Sequence, residues 1–154
     1  MRCKFIAGFF VTAASLTMAA YSQTQGGVVS AQSSGTPGRV CSNMTAKGTW
    51  GFTIEGSEVG SNRVFRGLDL AYFDGKGIMT QVDHFVDNGT APTEDWTPGT
   101  GTYSVNPDCT GSAVIYSGSV PYPIPLHFII VDNGKKMLQV VDANAVIAIG
   151  ERVN

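Results

Sequence analysis

From Thr49 onward the chain is written in period two. Short runs alternate apolar with polar residues, and Gly, Asn, Asp and Pro break the runs before any of them can continue. No stretch carries a convincing 3.6-residue apolar period, the signature of an amphipathic helix, whereas alternation bounded by turn residues is the signature of half-buried strands. The ordered part of the chain therefore reads as all-β.

Eight strands are predicted. The first is Thr49 to Glu55, with Trp50, Phe52 and Ile54 on one face. The second, Arg63 to Phe73, turns at Asp74-Gly75-Lys76-Gly77 into the third, Ile78 to Val86. Thr100 to Val105 is the fourth; Asn106-Pro107-Asp108 separates it from the fifth, Ser112 to Ser117, and the sixth is Leu126 to Asp132. Asn133-Gly134 is the strongest hairpin signal and favours a type I′ turn, because both central residues must accept positive φ. Lys135 to Val141 and Ala145 to Arg152 complete the set. Strands joined in order, with no helix long enough for crossovers, predict a single eight-stranded antiparallel up-and-down barrel. A two-sheet sandwich is the competing layout. At eight strands the interior holds side chains or one small ligand.

Following strand direction separates two ends. Connections 2–3, 4–5 and 6–7 are tight and share the bottom. The top collects "GSEVGS", the long "DNGTAPTEDWTPG" and the proline-rich "GSVPYPIP". Long loops gathered at one end of a barrel are expected to form a binding mouth.

Ahead of the barrel, Met1-Arg2-Cys3-Lys4 precedes an apolar run and then small residues, the layout of a secretory signal peptide over 1–22 ending at Ala20-Tyr21-Ser22. Residues 23–39 are rich in Gly, Ser and Gln and read as a flexible leader. Residues 40–154 are the barrel domain. The expected location is outside the cell or in the secretory lumen. Cys3 would leave with the signal peptide, so Cys41 and Cys109 remain, an even pair that an oxidising compartment would join in one disulfide. Two free buried thiols are the alternative. The bridge would draw the N-terminal segment across the barrel's base. Asn43-Met44-Thr45 and Asn88-Gly89-Thr90 make Asn43 and Asn88 glycosylation acceptors in a eukaryotic source.

A formal net charge of −2, with 14% of residues charged and no basic run, leaves nucleic acid and anionic membranes without an electrostatic footing. There is no Walker loop, Rossmann glycine pattern, Gly-x-Ser-x-Gly elbow or His-Glu-x-x-His. With only two histidines, no metal site of the usual His/Cys type is expected.

Four stretches, "CSNMTAKGTWGF" (41–52), "FDGKG" (73–77), "GTYSVNPDCTG" (101–111) and "HFIIVDNGKK" (127–136), resemble small secreted barrels similar to allene oxide cyclase, relatives of the calycin and dirigent-type barrels. The likeness covers most of 41–152 and rests mainly on turns and the cysteine pair. It implies a cofactor-free cyclase or isomerase that holds a hydrophobic natural-product intermediate in one folded conformation, often as an oligomer. The alternative from another class is a lipocalin-like binder or carrier of a small hydrophobic ligand.

The candidate acids and bases are His84, His127 and Tyr103. His84 shares a strand face with Val82 and Val86 and is expected to point inward, leaving Asp83 solvated outside. His127 opens the "LHFIIV" strand at the mouth, with an unperturbed pKa suited to proton transfer. For both histidines the plainer reading is a ring satisfied by a neighbouring loop or backbone group. Trp50 and Phe52 are expected to line the interior, either as a ligand wall or as core. Trp96 and Tyr122 in the top loops are expected to close over a ligand or to pack locally. Arg66 would polarise a ligand oxygen or pair with Glu55 across the first two strands. Strands six to eight are apolar on both faces, so their outer face is expected to be covered by another copy of the chain.

Overall fold

The computed structural model describes residues 40–153; the expected signal peptide and leader lie outside the described residues. Among the described residues the strands are β1 (Gly48–Ser57), β2 (Val64–Phe73), β3 (Ile78–Asp87), β4 (Thr97–Val105), β5 (Thr110–Ser117), β6 (Ile124–Val131), β7 (Lys136–Val141) and β8 (Ala145–Arg152). Each pairs antiparallel with the next, and β8 returns to β1, so the sheet is the closed eight-strand barrel expected from the alternation. One short helix, α1 (Asn43–Ala46), precedes β1.

The turns form where their chemistry demands. Asp74 Oδ1 accepts hydrogen bonds from the amides of Lys76, Gly77 and Ile78, and Gly75 and Gly77 supply the positive φ angles this tight path needs. Between β6 and β7, Asn133 and Gly134 take φ of 55° and 84°, and the Lys135 amide donates to the Asp132 carbonyl at 3.0 Å, as a type I′ turn requires. β4 starts at Thr97 rather than Thr100 and contains Pro98. Proline is tolerated there because it lies near the end of the β3–β4 ladder, and its carbonyl still accepts from Gly118.

The barrel's lower half is packed solid. Trp50, Phe73 and Met137 are fully buried there, with Phe73 edge-on to Tyr103 at 4.9 Å between ring centroids. Large side chains fit because small ones face them. A Cβ at Gly150 would run into the Phe52 ring, and one at Gly111 into Phe128.

The base is closed by the segment before β1. Cys41 is bonded to Cys109, and the Cys41 amide donates to the Pro107 carbonyl at 3.0 Å. The Trp50 indole donates to the Ala46 carbonyl at 2.7 Å, while Asn43 Oδ1 accepts the Val105 amide at 2.8 Å. From β8, the Arg152 guanidinium donates to the carbonyls of Thr45, Lys47 and Gly134 and lies 4.5 Å from the Trp50 ring centroid. Two of the last free carbonyls of α1 and its flank are thereby satisfied by a cation, the favourable sign at a helix C-terminus.

Because the disulfide spans 68 residues, it removes much freedom from the unfolded chain. Replacing both cysteines by serine is expected to lower stability by about 2–4 kcal/mol, read as a shift in the denaturant midpoint. The barrel's strand signal by circular dichroism should survive in the folded variant.

Candidate functional site

Above the packed half the barrel stays open. The upper strand ends and the four top loops enclose a cavity of about 860 Å³. Its wall is apolar where Ile54 (β1), Phe65 (β2), Phe85 (β3), Ile115 (β5), Leu126 (β6) and Val146 (β8) point inward. At the rim, Arg63 Nε and Nη2 donate to Asp87 Oδ2 at 2.9 and 2.6 Å, its Nη1 reaches Glu58 at 3.4 Å, and its guanidinium sits 4.9 Å over the Phe65 ring. Tyr122 lines the cavity and its hydroxyl donates to Glu58 at 3.4 Å.

Inside this apolar wall lies a pair of carboxyl groups. Asp69 on β2 and Asp83 on β3 are direct cross-strand partners, 7% and 0% exposed. Asp83 is satisfied three times over: Ser117 Oγ and Ser119 Oγ each donate at 2.6 Å, and Gln81 Nε2 donates at 3.1 Å. These three donors hold both carboxyl oxygens of Asp83 in place. Asp69 has the opposite surroundings. Burial disfavours its charge, and the nearby negative charge of Asp83 adds to the effect, so its carboxyl is pushed up to about 8. Asp69 is thus an acid that keeps its proton near neutrality.

The same site holds atoms without partners. Among the described residues the buried side-chain oxygens lacking any hydrogen bond are Asp69 Oδ1, Gln81 Oε1 and Asp87 Oδ1, and all three residues line this cavity. A folded protein rarely leaves such atoms unmatched, so water or a ligand inside the cavity is what these three atoms can bond.

The structure reverses the orientation expected for β3. Met79, Gln81, Asp83 and Phe85 face inward, so Asp83 is interior and His84 lies on the outer wall. There the His84 Nδ1 donates to the Asp95 carbonyl at 2.6 Å, and its ring lies 5.9 Å from that of Trp96. Trp96, 52% exposed, therefore packs on the outside and does not line the cavity. His127 also faces outward, paired with Asp142 at 2.9 Å. Arg66 stands on the outer face within 3.7 Å of Glu55, the cross-strand pairing considered from sequence.

Trp50, Phe52 and Tyr103 do point inward but fill the lower half and are not cavity-lining residues. Tyr103 belongs to the seal: its hydroxyl accepts the Gly75 amide at 2.8 Å and donates toward Asn43 and Asp74. Burial pushes its phenol up. Of the residues expected to meet a ligand, Tyr122 alone lines the cavity. Of the two acceptor asparagines, Asn88 is exposed at the rim, whereas the Asn43 side chain is turned in under β4.

Sequence reasoning missed Asp69, Gln81 and Arg63. A usable signal was present in the small residues. Ala71, Gly101, Gly111, Ala113, Ala148 and Gly150 all face inward, where a narrow barrel needs space. Ala71 and Phe73 thus identify the inner face of β2 and bring Asp69 with them, although Leu68, Leu70 and Tyr72 opposite are more apolar as a set.

Among the described residues no group of three or more His, Cys, Asp or Glu is placed to hold a metal ion. No family model matches the chain, and no curated protein matches it significantly.

An unfolded aspartate titrates at about 4, whereas folded Asp69 holds its proton to about 8. Between those values the folded state binds more protons than the unfolded one, so this group makes stability fall as pH rises across the window. Asp69→Asn is expected to remove that slope and to gain thermal midpoint over the wild type most clearly above about pH 8. Parallel melting curves of the two proteins across the range check it.

Proposed function

We propose that the protein is a cofactor-free cyclase or isomerase acting on a hydrophobic small molecule held in the upper barrel. The observation that carries this reading is the acid of raised pKa, Asp69, lining a largely apolar cavity beside the Asp83 carboxyl, whose oxygens already accept hydrogen bonds. The cavity volume, about 860 Å³, suits a substrate of drug-like or terpenoid size. Holding a flexible chain folded supplies much of the acceleration by bringing its reacting ends together.

Asp69 supplies the proton. It protonates an epoxide or carbonyl oxygen, an internal double bond attacks the electrophilic carbon so produced, and the Asp69 carboxylate takes a proton back from carbon. Substrate and product are isomers, and the acid is regenerated. Asp83 acts as a positioning residue, since its charge adds to burial in keeping the Asp69 proton in place. His84 and His127, outside the cavity, have no part in this step.

Membership of the allene-oxide-cyclase-like barrels belongs to the same reading and rests on the four sequence stretches that resemble them. So do export from the cell and self-association through the apolar outer face of β6–β8, where Ile129, Val140, Ile147 and Ile149 are exposed. The carrier reading uses the same cavity without the proton transfer.

The test is turnover of epoxide-bearing and carbonyl-bearing polyenes, followed by chromatographic separation of isomers. Asp69→Asn is expected to lower kcat by roughly 10²–10⁴-fold, while His84→Ala and His127→Ala leave it within about twofold. Isomerisation that proceeds equally well in Asp69→Asn sinks the assignment of the acid. Binding without any isomerisation favours the carrier.

A further inference from the structure

The unmatched atoms at the cavity's deep end specify more than size. Gln81 gives its amide nitrogen to Asp83 Oδ2 at 3.1 Å, which fixes the side chain's orientation, since the flipped amide would set its oxygen against the Asp83 carboxylate. Its Oε1 is therefore the atom left buried and without a partner. Beside it Asp69 leaves Oδ1 equally unmatched, and both residues are only 7% exposed. Gln81 and Asp69 stand on adjacent strands in diagonal register: Asp69 is opposite Asp83, and Gln81, opposite Ala71, is two residues along β3 from Asp83 on the same inward face.

A ligand atom that satisfies this pair must donate to the Gln81 oxygen and exchange a hydrogen bond with the Asp69 carboxyl. A hydroxyl does both at once. A ketone accepts but cannot donate. A carboxylate accepts only, and it would bring a second negative charge into an apolar enclosure beside Asp83, whose charge no cation among its hydrogen-bond partners neutralises. Around and above the pair, Ile54, Phe65, Phe85 and Val146 offer hydrocarbon surface, interrupted on other strands by Ser117, Thr97 and Gln139.

We propose that the cavity selects an uncharged, hydroxyl-bearing apolar molecule that enters polar end first, its hydroxyl lodged between Asp69 and Gln81, and that it rejects carboxylates. This rests on the reading of the cavity as a small-molecule site and names the chemical class it takes. It does not depend on turnover.

The test is calorimetric titration of the full chain at neutral pH with two probes of equal chain length, decanol and decanoate. Decanol is expected to bind at least about tenfold more tightly, because a site with buried hydrogen-bonding groups discriminates strongly against a ligand that leaves them unpaired. Asp69→Leu and Gln81→Leu should each reduce that preference several-fold while retaining affinity for the alkyl chain. Gln81→Leu carries the result alone if Asp69→Leu fails to fold. Decanoate binding as tightly as decanol, no detectable binding of decanol, or a preference unchanged in the folded variants overturns the proposal. An isomerase that fails the turnover test can still show the alcohol preference, and an active isomerase can lack it, so the two readings fail separately.

Discussion

An eight-strand barrel encloses barely enough room for its own side chains, and the whole molecule follows from how that room is divided. Below, glycine and alanine on the inner faces admit large rings, so Trp50, Phe52, Phe73 and Phe128 meet with no space left. Above, the inward residues are spread more thinly and the loops, not side chains, complete the enclosure. The packed half makes the open half possible. A cavity costs contacts that its walls would otherwise make, and dense packing beneath, with the Cys41–Cys109 link and the Arg152 contacts closing the base, offsets that loss.

The same division governs electrostatics. Two carboxyl groups placed side by side in water would both ionise near neutrality; on adjacent strands of this barrel, burial and then the neighbouring charge of Asp83 hold the Asp69 proton to about pH 8. Asp83 lies nearest the loop that supplies Ser119 and the strand that supplies Ser117, and its oxygens accept from both hydroxyls. Asp69, one strand away and facing hydrocarbon, keeps its proton. The difference arises from burial of Asp69 and from the donors that β3, β5 and the β5–β6 loop bring to Asp83 once β3, β4 and β5 have paired. Proton chemistry in this protein is therefore a property of the assembled barrel and not of any local motif.

Much of the architecture was legible in the chain. Alternation identified all eight strands, Asp74 to Gly77 and Asn133-Gly134 identified their tight turns, and the tracing of strand direction brought Cys41 and Cys109 to one end. Facing direction was less legible. On β3 and β2 the outer face carries Val82, Leu68 and Leu70, so the more apolar face is not the inner one. Counting apolar residues then selects the wrong side, and a one-residue error in facing exchanges His84 for Asp83.

By itself the sequence determined what depends on near neighbours: where strands begin and turn, which residue tolerates positive φ, and which connections are too short to do anything but close. It also placed the spare loop material at one end, because strand direction alternates by necessity. Only the tertiary structure decided that Asp69 keeps its proton, that Asp83 is held by hydroxyl donors, and which polar atoms line the cavity. Those properties depend on donors some thirty-five residues away in the chain, which meet when β3, β4 and β5 pair, and on an enclosed interior, which exists only when the eighth strand pairs with the first.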